Sequence, residues 1–236
     1  MRVAFAFLTR LPLATTLDDR GLSAEAPWFP VVGLFVGALM GGVHALAGLA
    51  LEPSVATLVA VLAAVLITGG LHEDGLADVA DAAGAHVSRE RKLEILRDSR
   101  VGTFGALAVV FAIAVPLVAL APLDDRRFLE AAIAAHVLGR WSSLPVSRLQ
   151  PARPDGSGAL LRATKVQLLT GTLVALGIVV ATLGPVEAAA TIGVASVTVA
   201  LGARMALGVF GGVSGDVYGA INKVVELTTY VVVAGS

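Results

Sequence analysis

Between Pro53 and Leu71 the chain carries no charged residue, and the next ten residues carry four acids. An uncharged stretch of that length is close to the ~20 residues a helix needs to cross a hydrocarbon core. In lipid only helices and closed barrels satisfy their own backbone, so such a run sets the fold class before any motif is considered. Further candidate spans are Val31–Leu51, Gly102–Ala121, Val166–Leu183 and Val186–Phe210, with the first apolar run trimmed to Ser54–Leu71. Two more candidates are less regular. Phe128–Leu144 contains Glu130, His136 and Arg140, and Tyr218–Val233 is short and carries Lys223 and Glu226. The expected fold is all-α: one polytopic transmembrane bundle over residues 1–236, with about six or seven spans. Met1–Arg10 reads as a short cytoplasmic interfacial helix rather than a signal peptide, because Arg10 interrupts the apolar run early.

Composition supports this reading. Apolar residues make up 56% of the chain, charged residues 15%, and the mean hydropathy is +0.85. Soluble domains sit nearer a quarter charged. The net charge of −1 gives no bulk attraction to nucleic acid, and the absence of cysteine excludes disulfide and thiolate chemistry. Gly33, Gly37 and Gly41 repeat every four residues, a stripe suited to close helix contact.

Orientation follows from Lys and Arg. With Met1–Pro30 inside, the loops at Glu52–Pro53, Pro122–Arg127 and Gly184–Pro185 are outside and hold only Arg126 and Arg127. The glycine-rich charged segments then all face the cytoplasm. The expected location is the inner, cytoplasmic membrane, with membrane lipid around the bundle and the active site toward the cytoplasm. Pro145–Gly158 reads as a loop able to act as a mobile cover.

Three segments could carry chemistry. On a helix, Asp74, Asp78 and Asp81 fall within about 60° of one another, with Glu73 one step off the stripe. Three carboxylates in register beside an apolar span repel one another unless a cation sits among them, and Mg²⁺ carrying a phosphorylated substrate meets that need. Gly75 leaves room for a phosphate or a neighbouring helix. In the second segment, Ser88 caps a short amphipathic helix. Arg97, Asp98, Ser99 and Arg100, followed by Gly102 and Thr103, form a candidate diphosphate clamp. In the third, Gly211–Gly219 turns the chain into a final helix that Asp216 can cap, with Asn222 and Glu226 four apart on one face. A glutamate inside a span is costly unless it is coordinated or paired, and Lys223 offers the pairing alternative. His136 and Arg140, one turn apart, could face the bundle interior. His44 reads as a packing residue.

Taken in order, several segments resemble the cobalamin synthase family, the adenosylcobinamide-GDP ribazoletransferases. They are Phe7–Pro12, Trp28–Gly33, Thr68–Asp81, Arg97–Ala106, Gly139–Arg140 and Gly212–Ala220. The resemblance implies a Mg²⁺-dependent membrane transferase in the last assembly stage of cobalamin. It would pass the adenosylcobinamide-phosphate group from adenosylcobinamide-GDP to α-ribazole, or its 5′-phosphate, releasing GMP. On that reading Glu73, Asp74, Asp78, Asp81, Asp216, Asn222 and Glu226 are candidate metal ligands. Asp81, Asp78 and Asp98 are candidate catalytic residues. Arg97, Ser99, Arg100, Thr103 and Arg140 are candidate diphosphate contacts. A homo-oligomer and other cobamide-assembly enzymes are partners by analogy. Two rivals are a CDP-alcohol-type phosphotransferase of lipid synthesis and an ion-coupled transporter. The first lacks its Ala-Arg and second aspartate pair here. The second expects broken helices near the midplane.

Overall fold

The computed structural model describes residues 1–13, 19–153 and 156–236. Among these, eleven α-helices follow one another: α1 (Arg2–Leu8), α2 (Asp19–Glu25), α3 (Phe29–Gly48), α4 (Pro53–Thr68), α5 (Leu71–Gly84), α6 (Arg89–Ile95), α7 (Thr103–Leu120), α8 (Asp125–Val146), α9 (Lys165–Leu183), α10 (Pro185–Phe210) and α11 (Gly215–Ala234). No strand occurs among the described residues; Pro151 and Val213 form an isolated parallel bridge. Five helical segments are long and apolar enough to cross a membrane, and α4 with α5 makes a sixth if that bent pair is taken as one span.

The helix that fails the hydropathy test is the centre of the bundle. α8 is buried along almost its whole length, from Phe128 to Val146. Its polar residues face other helices instead of lipid, so it can carry Glu130, His136 and Arg140 where an outer helix could not. The glycine stripe of α3 lies directly on it. A Cβ at Gly33 would sit 2.3 Å from the His136 carbonyl oxygen, and one at Gly37 would sit 2.6 Å from that of Ala132. The outer helices show the reverse pattern: Leu107, Val110 and Phe111 of α7 and Val197 and Leu201 of α10 are exposed apolar side chains, as lipid requires.

The last helix runs from Gly215 to Ala234 and is long enough to span, so the shorter Tyr218–Val233 reading underestimated it. Its N-cap is Ser214, whose hydroxyl accepts from the Val217 N–H, in place of the expected Asp216. Ser88 does cap α6, accepting from the Arg91 N–H. Among the described residues, the 145–158 segment is irregular beyond Val146, as expected of a loop, but its middle is tied to the start of α11. Pro145 closes the last turn of α8, and residues 150–152 bond Val213 through Ala152 N–H to Val213 O (2.8 Å) and Val213 N–H to Gln150 O (3.0 Å). Residues 154 and 155 of that segment lie outside the described residues.

Contacts sort the two ends of the bundle. At one end the Arg10 N–H bonds the Ile67 carbonyl, Asp81 bonds the start of α7, and Arg89 Nε donates to the last carbonyl of α10, Phe210 O, at 2.7 Å. At the other end Arg127 bonds Glu130, Glu187, the Val233 carbonyl and Ser236. Arg126 pairs with Glu130. The two arginines that run against the charge bias are therefore neutralised by acids on the same side.

Candidate active site at one end of the bundle

Gly69 and Gly70 both adopt left-handed backbone (φ 68° and 70°), a conformation that Cβ-bearing residues enter only at a cost. They turn the chain by 88° between α4 and α5. α5 therefore leaves the direction of the spans and crosses the end of the bundle, lying on the first turns of α11. The contact is backbone to backbone. A Cβ on Gly75 would lie 2.8 Å from the Asp216 carbonyl oxygen, and Gly75 Cα is 3.5 Å from the Cβ position of Gly219. So Gly75 admits a helix.

This crossing unites two acids that are far apart in sequence. Asp74 and Asp216 line the same cavity, of about 260 Å³. Asp78 lies one turn along α5 and is partly buried. Burial first, then repulsion from Asp74, Asp216 and Asp81, pushes its carboxyl up to about 6. None of Asp74, Asp78 and Asp216 forms an ion pair with a cationic side chain among the described residues.

The third member of the acid stripe is used differently. Asp81 Oδ2 accepts from the Gly102 N–H at 2.7 Å and Oδ1 accepts from the Gly105 N–H at 2.9 Å. It thus satisfies amides at the open N-terminus of α7 and complements that helix dipole. Asp98 is likewise engaged. It accepts from the backbone and guanidinium of Arg100, which holds its carboxyl down at about 2. Asp98 and Arg100 therefore pair with each other at an exposed turn, while Ser99 and Thr103 stand exposed beside them.

Four more candidates meet inside the bundle, apart from the acid pair. Glu226 is fully buried and pairs with Arg140 and Lys223, with His136 Nδ1 at 2.9 Å from its Oε1. Lys223 Nζ also reaches Glu73 Oε1, on α5, at 2.7 Å. Two acids and two bases form a neutral cluster joining α5, α8 and α11, and Tyr230 extends it by a contact to His136 Nε2 at 3.2 Å. Glu73, Glu226 and Arg140 thus serve one another in the helix packing. Asn222 is buried against Gly139, with its Oδ1 unpartnered.

Arg97 fares otherwise. It lines a cavity of about 230 Å³ together with Ser214, Asp216 and Arg153. On the far side of α5, a cavity of about 660 Å³ contains Asp74, Glu73 and Arg10. Gly69 has no Cβ where one would fall 2.0 Å from Arg10 Nε, so the turn itself makes room for that side chain. The guanidiniums of Arg10, Arg97 and Arg153 make no ion pair among the described residues. Arg10 and Arg153 were not legible as site residues. Arg10 counted as a topological charge, and Arg153 sat in a segment read only for its prolines and glycines.

Among the described residues, no three His, Asp or Glu side chains converge tightly enough to hold a metal by themselves. The donor set of Asp74, Asp78 and Asp216 is nonetheless all hard oxygen, the kind Mg²⁺ prefers, and Mg²⁺ commonly takes one or two carboxylates and completes its shell with phosphate oxygens and water. The guanidiniums nearby suit those same phosphates.

Comparison with known proteins decides what this arrangement belongs to. The model of the cobalamin-5-phosphate synthase family matches residues 1–234. The chain belongs to that family. Among cobalamin-5-phosphate synthase relatives, an adenosylcobinamide-GDP ribazoletransferase of Bradyrhizobium diazoefficiens is 38% identical, covering 99% of this chain and 92% of the relative. One of the same name from Mesorhizobium japonicum is 39% identical over 98% and 90%, and one from Roseiflexus sp. is 35% identical over 95% and 85%. No solved structure matches the chain. Family membership makes the protein a transferase of cobalamin biosynthesis and disfavours both the lipid phosphotransferase and the transporter. The helix break at Gly69–Gly70 fits that outcome, because α5 crosses near the start of α11 and the start of α7, away from the midplane.

Proposed function

We propose that the protein transfers the adenosylcobinamide-phosphate group of adenosylcobinamide-GDP to α-ribazole or its 5′-phosphate, with Mg²⁺, at the cytoplasmic face of the inner membrane. The observation that carries this reading is the meeting of Asp74 and Asp216 in one cavity, with Arg97 and Arg153 in the next cavity along. A ribose hydroxyl attacks the phosphorus on the corrinoid side of the diphosphate. A new P–O bond forms, the bond to the GMP oxygen breaks, and GMP leaves.

Asp74 and Asp216 would hold Mg²⁺, which when bound neutralises diphosphate charge. Arg97 and Arg153 contact non-bridging phosphate oxygens, and Arg10 serves the phosphate on the opposite side of Asp74. Asp78 takes the proton of the attacking hydroxyl. Its raised affinity for protons makes it a stronger base than an ordinary carboxylate, and both oxygens of Asp81 are already committed to backbone amides. Orientation follows the excess of Lys and Arg at the end of the bundle that carries α5 and α6.

The test is GMP release by purified protein supplied with adenosylcobinamide-GDP, α-ribazole and Mg²⁺. Activity should vanish with chelator and return with Mg²⁺, and D74N and D216N should each lose about a hundredfold or more in kcat. Folded D74N and D216N proteins with wild-type turnover would refute the assignment.

A further inference from the structure

The cavity shared by Asp74 and Asp216 is not polar throughout. Most of its lining is apolar, including Phe7, Leu8, Phe29, Leu161 and the ring of Tyr218, and the Phe7 and Phe29 rings stack with centroids 6.2 Å apart. Leu8, Phe29 and Leu161 are almost fully buried. The Tyr218 hydroxyl is turned to the Leu161 carbonyl, 3.4 Å away, so its ring is what lines the space. Its polar lining comes from Asp74, Asp216, His72 and Ser143.

A volume of about 260 Å³ is at the small end of ligand sites. It excludes a corrin macrocycle with its side chains. Guanine would fit by size, but its polar edge would face a mostly apolar lining, and the carboxylates able to accept from its amine are the ones assigned to Mg²⁺. A benzimidazole carrying two methyl groups has no exocyclic donor or acceptor, and its flat face suits aromatic and aliphatic walls.

We propose that this chamber seats the dimethylbenzimidazole base of ribazole, so that the attached ribose emerges beside Asp74 and Asp216. The inference rests on the transferase reading and adds to it the place and selectivity of the nucleophile. Base selection is then a matter of shape and desolvation: larger or more polar bases are rejected by the walls, and smaller ones bind weakly because they leave part of the chamber unfilled.

The experiment measures GMP release by the full-length protein, with separate KM values for α-ribazole and adenosylcobinamide-GDP. L161W narrows the chamber, and L8W narrows it from another wall should L161W fail to fold. The narrowing variant should raise KM for α-ribazole about tenfold or more while KM for adenosylcobinamide-GDP stays within about twofold. It should also shift preference toward an imidazole riboside. Free dimethylbenzimidazole should compete with α-ribazole and not with adenosylcobinamide-GDP. Wild-type GMP release with an unchanged ribazole KM in a folded narrowing variant, or an equal rise in both KM values, would overturn the proposal alone. Wild-type protein that releases no GMP would instead overturn the transferase reading beneath it.

Discussion

Replacing Glu226 tests the physical account of the bundle most sharply. Its carboxylate has no exposed surface and faces Arg140, Lys223 and His136, and Lys223 is shared with Glu73. Glu73 and Glu226 offset Lys223 and Arg140, so the cluster is neutral as built. E226Q removes one negative charge and leaves Arg140, itself 1% exposed, without its carboxylate. Stripping one partner from a buried pair costs about 3–5 kcal/mol, because the remaining charge stays desolvated. Glu226 serves two cations, so the upper half of that range is expected. Removing both members should cost far less. In E226L/R140L the Glu73–Lys223 pair survives and no charge is stranded, so stability should return to within about 1–2 kcal/mol of wild type. The readout is reversible unfolding in mixed micelles for the wild type, E226Q, E226L, R140L and E226L/R140L, the last three giving the coupling energy directly. E226Q within about 1 kcal/mol of wild type would refute the argument. So would a double variant no more stable than its worse parent.

Other outcomes follow from the site. Raising pH should increase kcat/KM as Asp78 loses its proton, at a pH below the about 6 of the metal-free site because Mg²⁺ on Asp74 and Asp216 offsets their repulsion, and D78N should flatten that rise. In chelator the sign for stability reverses. The folded carboxyl holds its proton more tightly than the unfolded one, so stability should increase as pH falls from about 6 toward 4, and a pH-independent unfolding midpoint would contradict this. G75A drives a methyl into the Asp216 backbone and should lose about a hundredfold in kcat while remaining in the membrane; wild-type turnover would mean that the α5–α11 crossing does not set the site. R97A should raise KM for adenosylcobinamide-GDP about tenfold or more, whereas R100A should change it little, since Arg100 is tied to Asp98; equal effects would remove Arg97 from its special place.

The helical bundle was legible because lipid imposes a length and a polarity that single residues reveal. The α3 glycine stripe was legible for the same reason: small residues one turn apart have few uses other than close packing. The centre was harder to read. α8 looks a poor span by hydropathy because it never meets lipid, and hydropathy reports the solvent a helix would prefer, not the neighbours it has. The acid stripe was half legible. Its spacing places Asp74, Asp78 and Asp81 on one face, but that face passes the amides of α7 at one end and Asp216 at the other. Which carboxylate is consumed by a helix terminus depends on contacts 21 and 24 residues away. Glu73 and Glu226 fall to the same difficulty: an acid in an apolar helix announces a partner, and sequence does not say whether that partner is a metal or a lysine.

The crossing of α5 over α11 has a consequence for how the protein is made. α11 leaves the ribosome after the other ten helices, yet it carries Asp216, Lys223 and Glu226. Until it inserts, Glu73 and Arg140 are already in place without the charges that balance them, and Asp74 lacks Asp216 across the cavity. Insertion of α11 therefore completes the charge balance of the interior and the catalytic end in a single event. A chain stopped short of α11 should be an inactive intermediate with Glu73 and Arg140 stranded in its interior.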